Sequence, residues 1–207
     1  MGVQVEASGV SATTRKLAGF HGLLGALYGI FLVNLALTIV TLGFYRFWAK
    51  TRMRRYLWSA VEIEGDRLEY IGTGKELFLG FLIVALLILL PLFILPQILV
   101  NTLAPGNLEL EQTVGSAQAI LIFLLTPLAF YRARRYRLTR TLWRGIRGGQ
   151  SGSAMQYAIK YMGFMLFNFI SLGWAFPFTR VRLAAYRMNN TRLGNGRLEF
   201  TARAGRL

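Results

Sequence analysis

The chain has 207 residues, 54% of them apolar and only 16% charged, with a mean hydropathy of +0.43, a composition wrong for the surface of a water-soluble globule. Its charges divide into 24 Lys or Arg against 9 acids, a net +15, yet so apolar a chain points to a membrane before it points to nucleic acid. With no Cys there is no disulfide, thiolate nucleophile or Cys-ligated metal, and a single histidine, His21, leaves no cluster for zinc or iron.

Residues 1–16 read as a polar tail, 17–202 as a single multi-pass membrane domain and 203–207 as a second tail. About 20 apolar residues cross a bilayer core of about 30 Å, so runs without Lys, Arg, Asp or Glu mark the candidate helices. There are four: 17–45, 77–108 (most aliphatic over 77–100), 112–131 and 161–179. The first is too long for a signal peptide and no small-residue cleavage site follows it, so it is expected to be retained. His21, near its start, is expected to be solvated, with no carboxylate beside it. Gly22, Gly25 and Gly29 place small residues along one face, which permits close helix packing within the bundle or between protomers. Gly72-Thr73-Gly74-Lys75 is not a phosphate loop, since Glu69 stands where the first glycine belongs and Glu76 replaces Ser or Thr. Pro91 and Pro96 predict a kink in the second run.

The basic residues cluster at 46–76, 132–160 and 180–207, while 101–113 carries only Glu109 and Glu111. By the positive-inside rule the 101–113 loop lies outside and the basic segments face the cytoplasm. The fourth run then poses a choice. A simple crossing would place Arg180, Arg182, Arg187, Arg192 and Arg197 outside, whereas a re-entrant hairpin breaking near Gly163 would return them to the cytoplasmic face.

A shift of 130 residues superimposes Leu42-Gly43 on Leu172-Gly173, Arg52 on Arg182, Tyr56 on Tyr186 and Arg67-Leu68-Glu69 on Arg197-Leu198-Glu199. A shift of 80 adds a third copy through Arg132, Tyr136 and Arg147. The units cover about 41–70, 127–147 and 171–200. Each reads as an apolar helix, a Gly or Pro break, a short basic helix and a β-hairpin. Val61 and Ile63 alternate with Leu68 and Tyr70 around Gly65-Asp66, and Asn195-Gly196 marks the third turn. The second strand of the middle hairpin has the weakest pattern. The predicted fold is therefore an all-α membrane protein of about four transmembrane helices, with short basic interfacial helices, small cytoplasmic β-hairpins and internal repeats.

The string Leu37 to Tyr56, LTIVTLGFYRFWAKTRMRRY, with Phe20-His21-Gly22 before it and Glu64-Gly65-Asp66-Arg67-Leu68-Glu69-Tyr70 after it, resembles the YjgN-like family of bacterial inner-membrane proteins. Trp143-Arg144-Gly145-Ile146-Arg147 and Asn190-Thr191-Arg192 fit the same pattern, so the likeness runs from about residue 19 to 202. It implies a multi-pass protein of the bacterial cytoplasmic membrane and no particular activity.

The candidate site residues are those of the repeated unit. Arg52, Arg132 and Arg182, with Arg67, Arg147 and Arg197, offer guanidinium groups for a phosphate or carboxylate, and Tyr56, Tyr136 and Tyr186 a hydroxyl beside it. Against that, basic residues at helix ends set orientation and attract anionic lipid at about 1 kcal/mol each, and tyrosine is an ordinary interfacial residue. Glu62, Glu64, Asp66 and Glu69 are expected to be charge partners for arginine. No nucleophile and base, metal set or cofactor motif is present, so no enzyme is expected. The expectation is a non-enzymatic inner-membrane protein that binds anionic lipid headgroups, a small anion or a partner protein through its basic modules. A transporter or channel for a small solute is the alternative. The expected partners are the bilayer and its anionic phospholipid, with a second copy or another membrane protein as further candidates and no nucleic acid.

Overall fold

The computed structural model describes residues 18–201, so the predicted tails at 1–16 and 203–207 lie outside the described residues. The chain forms two compact units, one running to Ile71 and including Leu142–Gly145, the other made of Gly72–Thr141 and the residues from Ile146 onward.

In the first unit β1 (Ala18–Phe20) leads to α1 (Leu24–Val40), α2 (Arg46–Ser59), β2 (Val61–Ile63) and β3 (Asp66–Tyr70). α1 ends where Leu42 and Gly43 take positive φ, 50° and 92°, and the N–H groups of Leu42 and Gly43 cap the carbonyls of Ile39 and Thr38. α2 then folds back along α1, with Asn34 Nδ2 donating to Ala49 O at 3.5 Å and Tyr56 Oη donating to Leu23 O at 2.9 Å. β1 pairs antiparallel with β2 (Phe20 opposite Val61), and β2 with β3 (Glu62 opposite Arg67). Glu64 and Gly65, φ 51° and 88°, make the turn between them, the two-residue geometry whose twist suits a hairpin. The segment Leu142–Gly145 belongs to this unit: Trp143 Nε1 donates to Ile63 O at 3.2 Å, and Arg144 pairs with Asp66 and, at 3.6 Å, with Glu64. These acids are thus arginine partners, while Glu62 lies 3.1 Å from His21 Nε2, giving that histidine the carboxylate it was expected to lack.

In the second unit α3 (Gly74–Val84) passes through a π-helical turn (Ala85–Leu89) into α4 (Leu90–Leu103), followed by α5 (Leu108–Thr139). Thr73 caps α3 by accepting from the N–H of Glu76 at 3.2 Å, so the segment that mimics a phosphate loop is a helix start. The widened turn sits just before Pro91, which has no N–H to offer the preceding turn. α5 returns antiparallel to α3–α4: Gln118 Nε2 donates to Leu92 O at 2.9 Å, and Tyr136 Oη to Glu76 Oε2 at 2.9 Å. After β4 (Thr141–Trp143) and β5 (Ile146–Gln150), α6 (Ala154–Ile170) and α7 (Phe176–Asn189) lead to β6 (Thr191–Leu193) and β7 (Gly196–Arg197). β5 pairs antiparallel with β6 (Gly148 opposite Leu193, Gln150 opposite Thr191), and β6 with β7. The unit's small core is Tyr131, Tyr157 and Leu183, with Tyr161, Phe164 and Tyr186 against it.

Several expectations change. The fold is not all-α, because the described residues include seven β-strands, three of them in antiparallel succession in each unit. Nor are there four membrane-length helices among the described residues: two are long and apolar enough to cross a membrane, Gly74–Leu103 and Leu108–Thr139, and no residue of the most apolar window of the first is buried. The runs 17–45 and 161–179 lack charge but are interrupted by a backbone reversal, which a count of charges does not register. In the fourth run the reversal falls at Leu172-Gly173, φ 50° and 89°, and not near Gly163. The middle hairpin has a five-residue second strand, and the third turns at Gly194-Asn195, one residue earlier than predicted, with Gly196 already in β7. Ala in place of Gly173 is expected to cost about 1 kcal/mol through its left-handed φ, read as a lower unfolding midpoint in detergent.

Candidate anion-binding cleft

The three repeated tyrosines occupy equivalent local positions, and each spends its hydroxyl on the start of another helix. Tyr56 Oη donates to Leu23 O and accepts from Leu23 N–H, both at 2.9 Å, Tyr136 donates to Glu76, and Tyr186 donates to Ser153 O at 3.0 Å. Replacing Tyr56 or Tyr186 by Phe is expected to cost about 1 kcal/mol each, seen as a lower unfolding midpoint of the purified protein.

The six repeated arginines do not converge within either unit. Arg52 on α2 and Arg67 on β3 are exposed in the first; Arg132 on α5, Arg147 on β5, Arg182 on α7 and Arg197 on β7 are exposed in the second. Arg182 stacks on Phe178 at 5.0 Å, and Arg197 lies opposite Arg192 across a strand pair. Gly25 and Gly29 have no atom within 4 Å of where a Cβ would stand, so they make no helix packing contact among the described residues; Gly22 does sit close, since a Cβ there would strike the Phe20 ring at 2.5 Å.

A different set of side chains comes together between α5, α6 and α7. On α5, Phe130, Tyr131, Arg134 and Arg137 share one face; on α7, Phe176, Thr179, Arg180, Leu183 and Arg187 do, at the three-and-four spacing of a helical stripe. α6 contributes Tyr157, Tyr161, Phe164, Met165 and Asn168. Together they line a cleft of about 340 Å³. Its floor is the tyrosine cluster: Tyr131 and Tyr157 have ring centroids 5.0 Å apart, and Tyr131 Oη, 1% exposed as a residue, donates to Ser151 O at 2.6 Å. Asn168 Nδ2 donates to Thr179 Oγ1 at 2.9 Å across α6 and α7.

The cleft holds four arginines and no carboxylate. Arg134 Nη2 donates to Thr191 Oγ1 at 3.3 Å and to Met188 Sδ at 3.7 Å, but its buried Nε and that of Arg187 meet no acceptor among the described residues. Arg134 and Arg187 are half-buried while Arg137 and Arg180 are exposed at the rim, and like charges gathered this way, with donors unspent, are relieved by an anion able to accept several N–H bonds at once. No three His, Asp or Glu side chains converge among the described residues.

Sequence comparison by repeats passes over these residues for a clear reason. Arg134 corresponds to Arg54 in the first copy but to Ala184 in the third, and Arg187 to Leu57 in the first. The helical stripe from Phe176 to Arg187 was the signal available to find them.

The chain matches the family described as a bacterial protein of unknown function, DUF898, over residues 16–207. It is 41% identical to the "Inner membrane protein YjgN" of Escherichia coli O157:H7 over 64 residues, which is 31% of this chain and 16% of that protein. Against the protein of the same name in Salmonella typhimurium it is 34% identical over 130 residues, 63% of this chain and 30% of that one. Either match thus covers less than a third of the relative's length. No solved structure matches the chain.

Proposed function

We propose, for a chain that belongs to the bacterial DUF898 family of unknown function, that it is a multi-pass inner-membrane protein whose α5–α6–α7 cleft binds a phosphate-bearing anion, without carrying out chemistry on it. The observation that carries this reading is the set Arg134, Arg137, Arg180 and Arg187 in one cleft with no acid among its lining residues.

Location in the inner membrane is supported by the names of the relatives and by the two long apolar helices. Those helices are antiparallel, and the ends that meet at Glu76, Tyr136 and Arg140 lead into the basic segments, whereas Glu109 and Glu111 stand at the other end; the cytoplasm is therefore assigned to the arginine-rich end. On α5 the cleft lies toward that end, with Phe130, Phe164 and Phe176 as apolar wall. An anionic phospholipid headgroup and a free phosphate share the chemistry it would recognise.

The proposed match of the first and third copies also gains support. α1 and α6 have 17 residues each and α2 and α7 have 14 each, at the spacing of the sequence match, and Leu42-Gly43 and Leu172-Gly173 take the same backbone angles. In this reading the unit is a scaffold, and the cleft forms where the second and third copies meet.

Quantifying phospholipid retained by the purified protein tests the function. The protein as isolated should carry anionic phospholipid or bind added inorganic phosphate, and Arg134→Gln with Arg187→Gln should lose both. Equal retention and equal phosphate binding by the two proteins would reject the proposal.

A further inference from the structure

The ends of the α6–α7 pair lie side by side. β5 enters it and β6 leaves it, and the two strands are paired residue for residue, Gly148 with Leu193 and Gln150 with Thr191. Tyr186 of α7 meets Ser153 at the start of α6, and Asn168 near the end of α6 meets Thr179 near the start of α7, so the helices run antiparallel from a common base to a tip at Ser171–Ala175. A segment with paired ends enters and leaves any bilayer by one face.

The tip is built for lipid. Phe169 is 80% exposed, Leu172 90% and Trp174 90%, with no Lys, Arg, Asp or Glu between Tyr161 and Thr179. Backbone N–H and C=O groups at membrane depth need partners, and at this turn every N–H has one inside the protein. The N–H of Ser171 donates to Phe167 O, Leu172 to Phe169 O, Gly173 to Asn168 O, Trp174 to Ser171 O and Phe176 to Gly173 O, while that of Ala175 donates to Ser171 Oγ at 3.1 Å. The first unit solves the same problem in the same way at Thr41–Arg46, where Thr41 Oγ1 takes the Tyr45 N–H at 3.0 Å. The ten residues from Tyr161 to Ile170 rise about 15 Å, half of a bilayer core of about 30 Å.

We infer that α6 and α7 form a re-entrant hairpin, its tip of Leu172 and Trp174 held near the bilayer midplane by lipid and both its ends on the face that carries β5 and β6. The acceptor hydroxyl of Ser171 and the left-handed pair Leu172-Gly173 give the reversal its geometry and satisfy its N–H groups within the protein. Arg180, on the returning helix, sits at a depth where lipid alone would not tolerate it; it lines the cleft and stacks on Phe176 at 4.5 Å.

The Cys-free chain permits a direct test in proteoliposomes of full-length protein. Single variants Arg147→Cys, Asn195→Cys and Leu172→Cys are probed with an impermeant thiol reagent, and the last is also labelled with a fluorophore and quenched by lipids spin-labelled at the headgroup or mid-chain. Arg147→Cys and Asn195→Cys should react from the same side, and Leu172→Cys about tenfold less than either, with mid-chain quenching the stronger. The fluorescence component removed by Trp174→Phe should show the same depth without any label. Reaction of Arg147→Cys and Asn195→Cys from opposite sides, or headgroup quenching as strong as mid-chain at both position 172 and Trp174, overturns the hairpin.

Discussion

Tyr131→Ala is expected to lower the unfolding free energy of the protein by about 3–5 kcal/mol, the largest effect of any single substitution in the second unit. Tyr131 is the most buried aromatic side chain of the described residues, and its ring meets Tyr157 at 5.0 Å and Tyr186 at 5.9 Å. Truncation leaves a cavity between α5, α6 and α7 and strips a donor from Ser151 O, whose own N–H holds Asn190 O. Tyr131→Phe separates the two contributions: it keeps the ring, loses one hydrogen bond, and should cost about 1 kcal/mol. Denaturation in detergent, followed by the loss of helical circular dichroism, measures both.

Arg134→Gln with Arg187→Gln should weaken binding of inorganic phosphate or a soluble headgroup about 100-fold, from about 3 kcal/mol lost with two charge-assisted contacts. Because both cations share one cleft with no acid among its lining residues, the double variant should be no less stable than the parent in anion-free buffer. The control is Arg132→Gln with Arg182→Gln, which removes the same charge from exposed positions outside the cleft lining. Solvent and salt screen those positions, so binding should fall by less than about threefold.

What could be read from the sequence, and what could not, separates along physical lines. Alternation around Gly65 located the first hairpin, because period-two patterning and a turn glycine are local properties. Runs without charge found all the apolar material but not its shape: Leu42-Gly43 and Leu172-Gly173 reverse the chain through positive φ at a leucine, which residue preferences argue against. Repeat matching singled out Tyr56, Tyr136 and Tyr186 as hydroxyls to stand beside an anion, whereas each is spent on a helix start. The same matching drew attention to Arg52, Arg132 and Arg182, which remain exposed, and away from Arg134 and Arg187, which are not shared by all copies. Residues that the matched segments do not all share are invisible to a search for what those segments have in common.

Calorimetric titration of the purified full-length protein, in nanodiscs of zwitterionic lipid, with inorganic phosphate and with a soluble glycerophosphate headgroup tests the cleft most directly. The account predicts saturable binding at one site, abolished by Arg134→Gln with Arg187→Gln and retained by Arg132→Gln with Arg182→Gln. Binding that is the same in all three proteins, or that follows the exposed arginines, would contradict it.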